Sequence, residues 1–211
     1  MAMISVEHVS LTIGTAQILR DVSAQFEEGQ IHGIVGRNGS GKTMLMKCIC
    51  GFIRPDSGKI LLDRKQVGRD VDFPPDLGLL IETPGFVPYY SGLKNLELLA
   101  AINRRASKER LNVCMEQLGL GDAKNKRVSK YSMGMRQRLG IAQAIMEDPQ
   151  LLILDEPLNG LDEQGVEDIR ALLLELKGQG KTILLSSHNR EDIDLLCDSV
   201  CKMAGGGLTN L

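Results

Sequence analysis

The stretch Gly36 to Thr43 constrains this chain more than any other: it reads Gly-Arg-Asn-Gly-Ser-Gly-Lys-Thr, two glycines with four residues between them followed by Lys and Thr. That spacing makes a phosphate cradle. The glycines let the backbone curl with its N–H groups inward, and a helix beginning near Lys42 adds the positive end of its dipole. Gly36, Arg37, Asn38, Gly39, Ser40 and Gly41 form the cradle, and Lys42 reaches the β- and γ-phosphates as a point charge. The Thr43 hydroxyl is placed to ligate Mg²⁺. Chance produces the pattern in on the order of one chain per hundred of this size, so context must decide. The apolar run Ile31-His32-Gly33-Ile34-Val35 precedes the loop as a buried strand should, and Met44 to Cys50 follows as a short apolar helix stopped by Gly51. Against strand, loop and helix in that order, a Gly-rich turn with a coincidental Lys-Thr is the weaker reading.

A chain of 211 residues can bury one good core and is too short for two such nucleotide-binding modules in tandem. With 43% hydrophobic and 25% charged residues a soluble globular protein is expected, and no apolar run reaches the roughly 18 residues of a membrane span. The N-terminus lacks a basic region followed by an apolar stretch, so the expected location is the cytoplasm. Five cysteines, without a Cys-x-x-Cys pair, read as reduced core thiols rather than a disulfide framework or a zinc site. A net charge of -2, no Trp and few other aromatics argue against a nucleic-acid partner.

Along the chain, Ile4, Val6, Val9, Leu11 and Ile13, then the stretch from Ile18 to Phe26, suggest half-exposed antiparallel strands before the cradle. Lys59 to Asp63 reads as another strand, and Leu77 to Ile81 as a buried strand ending at Glu82. Helical spacing takes over with Leu93, Leu96, Leu99 and Ala100, then Leu111, Cys114, Met115 and Leu118. Ser107 is a cap and Gly119 a stop, so a helical insertion spans roughly 83–145. Within it, Tyr131-Ser132-Met133-Gly134-Met135-Arg136-Gln137-Arg138 opens a helix whose first N–H groups and Ser132 face outward, which implies a second phosphate site. Leu151 to Glu156 is a buried strand ending in two carboxylates that strand alternation sends apart. Asp155 can then hold Mg²⁺ with Thr43, while Glu156 polarises an attacking water. Asn159-Gly160-Leu161-Asp162 turns into a further helix, and Thr182 to Leu185 is a strand ending at Ser186-Ser187-His188. A lone His is more often structural; at a strand end after the cradle and the acidic pair, His188 can hydrogen-bond a γ-phosphate.

These stations, in this order, resemble the ATP-binding subunit of ABC transporters over essentially the whole chain. Gly36 to Thr43 is similar to the Walker A loop, Glu82 stands at the Q-loop position, Ser132 to Gln137 looks like the signature motif, and Asp155 with Glu156 looks like Walker B. Asn159 to Asp162 matches the D-loop and His188 the switch histidine. Ile81 to Phe86 and Tyr131 to Met135 look most like the bacitracin and lantibiotic self-protection exporters. The resemblance implies an α/β P-loop NTPase with a RecA-like core at 1–82 and 146–211, an N-terminal antiparallel β subdomain and the helical subdomain at 83–145. It further implies that two cassettes, identical or paired, sandwich two ATP molecules head to tail, with Lys42 of one facing Ser132 and Gly134 of the other and Asp162 close by. A separately encoded transmembrane permease would dock near Glu82 and hold the chain on the inner face of the membrane.

Three positions depart from the family pattern. Glu82 replaces Gln, Met133 and Met135 replace signature Gly and Gln, and Ile13 stands where an aromatic ring usually stacks on adenine. The expectation is an ATPase driving export, with Glu82 contacting Mg²⁺ or the attacking water and with weak discrimination between ATP and GTP at Ile13. A regulatory cassette with little hydrolysis, and a soluble non-transport ABC ATPase, are the alternatives.

Overall fold

Alternation builds the first layer. In the computed structural model, which describes residues 2–211, β1 (Ala2–Ile13) and β2 (Ala16–Glu27) pair antiparallel. Leu19, Val22, Ala24 and Phe26 of β2 point inward while the residues between them stay exposed. Gly14 turns the hairpin with φ +61°, a backbone region open to glycine at little cost. After β3 (Ile31–Val35) and α1 (Lys42–Ile49) come β4 (Ser57–Leu62), β5 (Lys65–Gln66) and β6 (Leu77–Leu80). The helices α2 (Gly92–Asn103), α3 (Lys108–Gln117) and α4 (Met133–Ile145) follow, capped by Ser91, Ser107 and Ser132. The chain closes with β7 (Leu151–Asp155), α5 (Glu163–Gly178), β8 (Thr182–Ser186), α6 (Arg190–Leu196), β9 (Ser199–Ala204) and β10 (Gly207–Asn210). Met1, the first residue of the segment read for a leader, lies outside the described residues.

The strands form two sheets, an antiparallel one in the order β2-β1-β4-β5 and a larger one in the order β10-β9-β3-β8-β7-β6. The larger sheet is parallel from β9 to β6, with β10 as an antiparallel edge. Its central strands are apolar on both faces because both are covered. Ile34, Leu151, Ile153 and Leu184 meet the antiparallel sheet and α1, whereas Ile31, Leu152, Leu154, Ile183 and Leu185 meet the helices. The mixed α/β architecture agrees with the expected fold class.

The helical segment shares its core with the large sheet: Leu96, Met115 and Leu139 belong to the same buried cluster as Leu152 and Leu173. Short elements were less legible. The sequence reading did not assign β5, α6, β9 or β10, the second of which follows directly on the loop of His188.

Register then places the functional loops. Ile34 of β3 and Asp155 of β7 both pair with Ser186 of β8, so the carboxyl ends of the three strands stand in one row, where open α/β sheets bind their ligands.

Candidate nucleotide-binding and hydrolytic site

Past Val35 the chain curls through the cradle. A side chain at Gly36 would put Cβ 2.4 Å from the Met203 carbonyl oxygen, so only glycine passes there. Gly39 and Gly41 have φ of +77° and +109°. Gly41 caps α1 without a side-chain bond, which leaves the first-turn N–H groups facing the cradle. Lys42 is buried, and its Nζ donates to the Gly36 carbonyl at 2.8 Å and more weakly to that of Arg37 at 3.5 Å. The Ser40 hydroxyl is buried with no hydrogen-bond partner, a polar atom suited to a phosphate oxygen. The cradle opens on a cavity of about 380 Å³ that Ile18, Thr43, Asp155 and Glu156 also line. On its other side a cleft of about 1280 Å³ reaches His188 and Arg190.

Asp155 closes the row. Its Oδ2 accepts from the Thr43 hydroxyl at 2.7 Å and its Oδ1 from the Ser186 hydroxyl at 2.5 Å. Thr43 and Asp155 thus converge as hard oxygen donors that could hold a divalent cation together with further oxygen ligands. Among the described residues no group of three or more His, Cys, Asp and Glu side chains could hold a metal alone.

Glu156 leaves the row by a route that alternation does not give. The strand stops at Asp155, and Glu156 takes φ +50°, so a left-handed backbone turn, not the strand pleat, separates the two carboxylates. Glu156 N–H donates to the Ser186 carbonyl at 3.2 Å and hydroxyl at 3.0 Å. From α4, Gln137 Nε2 donates to the Glu156 and Pro157 carbonyls at 3.0 Å each. The Glu156 carboxylate accepts from His188 N–H at 3.3 Å and lies 2.8 Å from His188 Nδ1. Since a carboxylate only accepts, Nδ1 carries the proton.

Other candidates lie elsewhere. Glu82 follows β6 with φ +59°, and its carboxylate meets Lys47 Nζ at 2.6 Å. It pairs with an ammonium and does not line the cavity of Thr43 and Asp155. Ile13 is 48% exposed at the end of β1 and is not on the cavity wall, where Ile18 of β2 stands instead. Ser132 caps α4, accepting from Met135 N–H at 3.1 Å, and a Cβ on Gly134 would lie 3.1 Å from the Gly160 carbonyl. Asp162 caps α5, accepting from Gly165 N–H at 3.0 Å. None of these three lines the cavity of the same chain. Sequence reasoning missed Ser186, Ile18 and Lys47. A polar residue closing an apolar strand was the available signal for Ser186, and its neighbours follow only from register.

Comparison with known proteins bears on the family and the fold. A family model described as ABC transporter matches residues 19–159. The chain is 42% identical over 206 residues to the uncharacterized ABC transporter ATP-binding protein YybJ of Bacillus subtilis, covering 98% of this chain and 94% of that one. It is 38% identical to the bacitracin transport ATP-binding protein BcrA of Enterococcus faecalis, covering 98% of this chain and 68% of the relative. Identity to the lantibiotic transport ATP-binding protein SrtF of Streptococcus pyogenes is 32%, over 94% and 85% of the two chains. Among solved structures, a nucleotide-free ATP-binding cassette from an ABC transporter superposes with a TM-score of 0.86 at 25% identity, over 99% of this chain and 90% of that chain. The dimeric post-hydrolysis cassette MJ0796 bound to ADP and Pi has a TM-score of 0.88 at 23% identity over 99% of each chain, a likeness of fold.

Proposed function

The chain belongs to the ABC transporter family of ATP-binding proteins, and from that premise we propose that it hydrolyses ATP at the cradle of Gly36 to Thr43 to power a membrane exporter of peptide antibiotics or similar amphiphiles. The observation that carries the hydrolytic part is the row Thr43–Asp155–Ser186 with Glu156 and His188 at its open end. Phosphate oxygens would displace the Gly36 and Arg37 carbonyls from Lys42, exchanging neutral acceptors for charged ones. The Ser40 hydroxyl and the first-turn N–H groups of α1 would take the others. Thr43 and Asp155 would hold Mg²⁺, whose charge offsets that of the phosphates when it is bound.

Glu156 orients a water on the γ-phosphorus and takes its proton as the P–O bond to ADP breaks. His188 steadies Glu156 through Nδ1–H. To donate to the γ-phosphate through Nε2 at the same time, its ring must carry both protons. Ser132 and Gly134 belong to the opposing copy's site in this reading, because neither lines the cavity of its own chain; Asp162 stands near that junction. The dimeric cassette of the same fold supports this arrangement. No helix of the described residues is long and apolar enough to cross a membrane. In this reading a separately encoded permease supplies the channel and holds the chain at the inner face. The names of BcrA and SrtF support a peptide-antibiotic cargo. They also favour transport over the soluble non-transport alternative, and the Glu156–His188 contact favours hydrolysis over a silent switch.

The test is Glu156→Gln, which keeps the volume and removes the base. Phosphate release should fall by about 10²-fold or more while ATP affinity stays within a few-fold. Size-exclusion chromatography with Mg-ATP should then show a trapped dimer. Near-parental hydrolysis would remove Glu156 from this role.

A further inference from the structure

His188 stands on the short loop Ser187-His188-Asn189 between β8 and α6, with its side chain 64% exposed. Packing therefore does not set its position, and polar contacts must. On one side is Glu156. On the other, the buried Ser187 hydroxyl donates to Asp192 Oδ2 at 3.1 Å and accepts the Asn189 N–H at 3.1 Å. Asp192 Oδ1 in turn accepts from Arg170 Nη2 at 2.6 Å and Nε at 3.1 Å. Both charged residues are buried. Two exposed carboxylates, Glu167 at 2.7 Å and Glu191 at 3.3 Å, also hold the Arg170 guanidinium. It rises from α5, the helix that begins at the Asp162 cap.

A buried ion pair adds little net stability over apolar residues of the same volume, because desolvation offsets the attraction. Its geometry is then the informative property. Each acceptor of Asp192 has one task, Oδ1 for the guanidinium and Oδ2 for the loop. Ser187 passes that anchoring to the peptide on the far side of His188.

We propose that the Arg170–Asp192 pair, acting through the Ser187 hydroxyl, is the positioning device of His188: it fixes the imidazole against Glu156 and ties the histidine loop to the helix that starts at Asp162. This rests on the hydrolytic reading of Glu156 and His188 above. Ser187, Asp192 and Arg170 are positioning residues, since they act through the histidine.

The cleanest variant is Ser187→Ala, which leaves the ion pair intact and cuts only the link. Native-state amide exchange at His188 and Asn189 should become about tenfold faster while α5 is unchanged, a readout that needs no turnover. With Mg-ATP, kcat should fall about tenfold with KM within about twofold, the mark of a displaced group. In a His188→Ala background the same substitution should cost nothing further, because the two act as a unit. The paired change Arg170→Met with Asp192→Leu checks the anchor: the fold should keep its thermal stability while exchange and kcat change as in Ser187→Ala. Unchanged exchange in Ser187→Ala, or a loss that multiplies with that of His188→Ala, overturns the positioning role alone. An unchanged kcat in His188→Ala overturns the reading beneath it.

Discussion

Lys47 and Thr43 stand one turn apart on α1, so the Glu82 carboxylate on Lys47 hangs one turn below the hydroxyl that meets Asp155. Glu82 is 62% exposed, and exposed pairs contribute roughly 0–1 kcal/mol, a tether that a cation nearby could overcome. Glu82→Gln should therefore change thermal stability by less than about 1 kcal/mol and raise the Mg²⁺ midpoint of ATPase activity a few-fold. Superimposed Mg²⁺ titrations would leave Glu82 as a hinge or docking contact. His32 sets a pH limit of a different kind. It is buried, with Nε2 donating to the Glu27 carbonyl at 2.8 Å, Nδ1 2.6 Å from the Ser199 hydroxyl, and the Phe26 ring edge-on at 5.3 Å. Burial pushes its pKa below the ordinary 6.5, against the opposing pull of the Glu27 carbonyl and Asp198. The unfolded chain then takes up the proton first on acidification. The stability held by neutral His32 is complete above about 6.5 and drains away as pH falls below it. Melting temperature should drop as pH falls below about 6.5, and His32→Gln should flatten part of that drop; parallel curves for mutant and parent would clear His32.

At the scale of elements, α4 lies on β6 so closely that glycine is required at the seam. A Cβ on Gly78 would sit 2.1 Å from the Ala144 carbonyl oxygen, and one on Gly140 2.7 Å from Pro84 Cγ. The first is a clash with backbone, which cannot rotate away. Gly78→Ala should destabilise by roughly 1–3 kcal/mol, the usual cost of overpacking, read as a shift in the urea midpoint. Gly178, in the last turn of α5, has no atom within 4 Å of such a Cβ. Gly178→Ala should stabilise by up to about 1 kcal/mol through helix propensity. Equal effects at the two glycines would contradict the close seam. The same packing explains how Gln137 reaches the backbone at Glu156 and Pro157: α4 delivers it from the same helix that displays Ser132.

For the molecule as a whole, the continuous cluster from Leu96 to Leu173 joins the helical segment to the large sheet. A segment without a core of its own has nothing to hold it when the sheet melts, so 83–145 should unfold together with the rest. The chain supplies its own probe: it has no Trp, and its Tyr residues, Tyr89, Tyr90 and Tyr131, all lie in that segment. Tyrosine fluorescence reports the helical segment while far-UV circular dichroism reports the whole, and their urea transitions should coincide. Separated midpoints would show an independent subdomain. The buried thiols argue for the same tight interior, since burial pushes Cys48 to about 11 and Cys50 to about 12. Both should resist thiol reagents until the chain unfolds.

The cradle, the strand before it and the helix after it were legible because they depend on neighbours in sequence: glycine spacing, an apolar run and a stop signal act within a few residues. The same holds for the Ser107 cap and for the strand from Leu151, which stops at Asp155, one residue short of the expected end at Glu156. What joins those pieces is not local. The Thr43–Asp155 contact spans 112 positions and the link from Ser186 to Asp155 spans 31, so both exist only once strand register is set, and a one-residue slip would reverse every side chain involved. Tertiary structure alone therefore decided that Ile18 rather than Ile13 lines the cavity, that Lys47 holds Glu82, and that a left-handed turn aims Glu156 at His188. Each of these choices costs or returns about a kcal/mol locally, too little to be written in propensity, and is settled by the packing of elements distant in the chain.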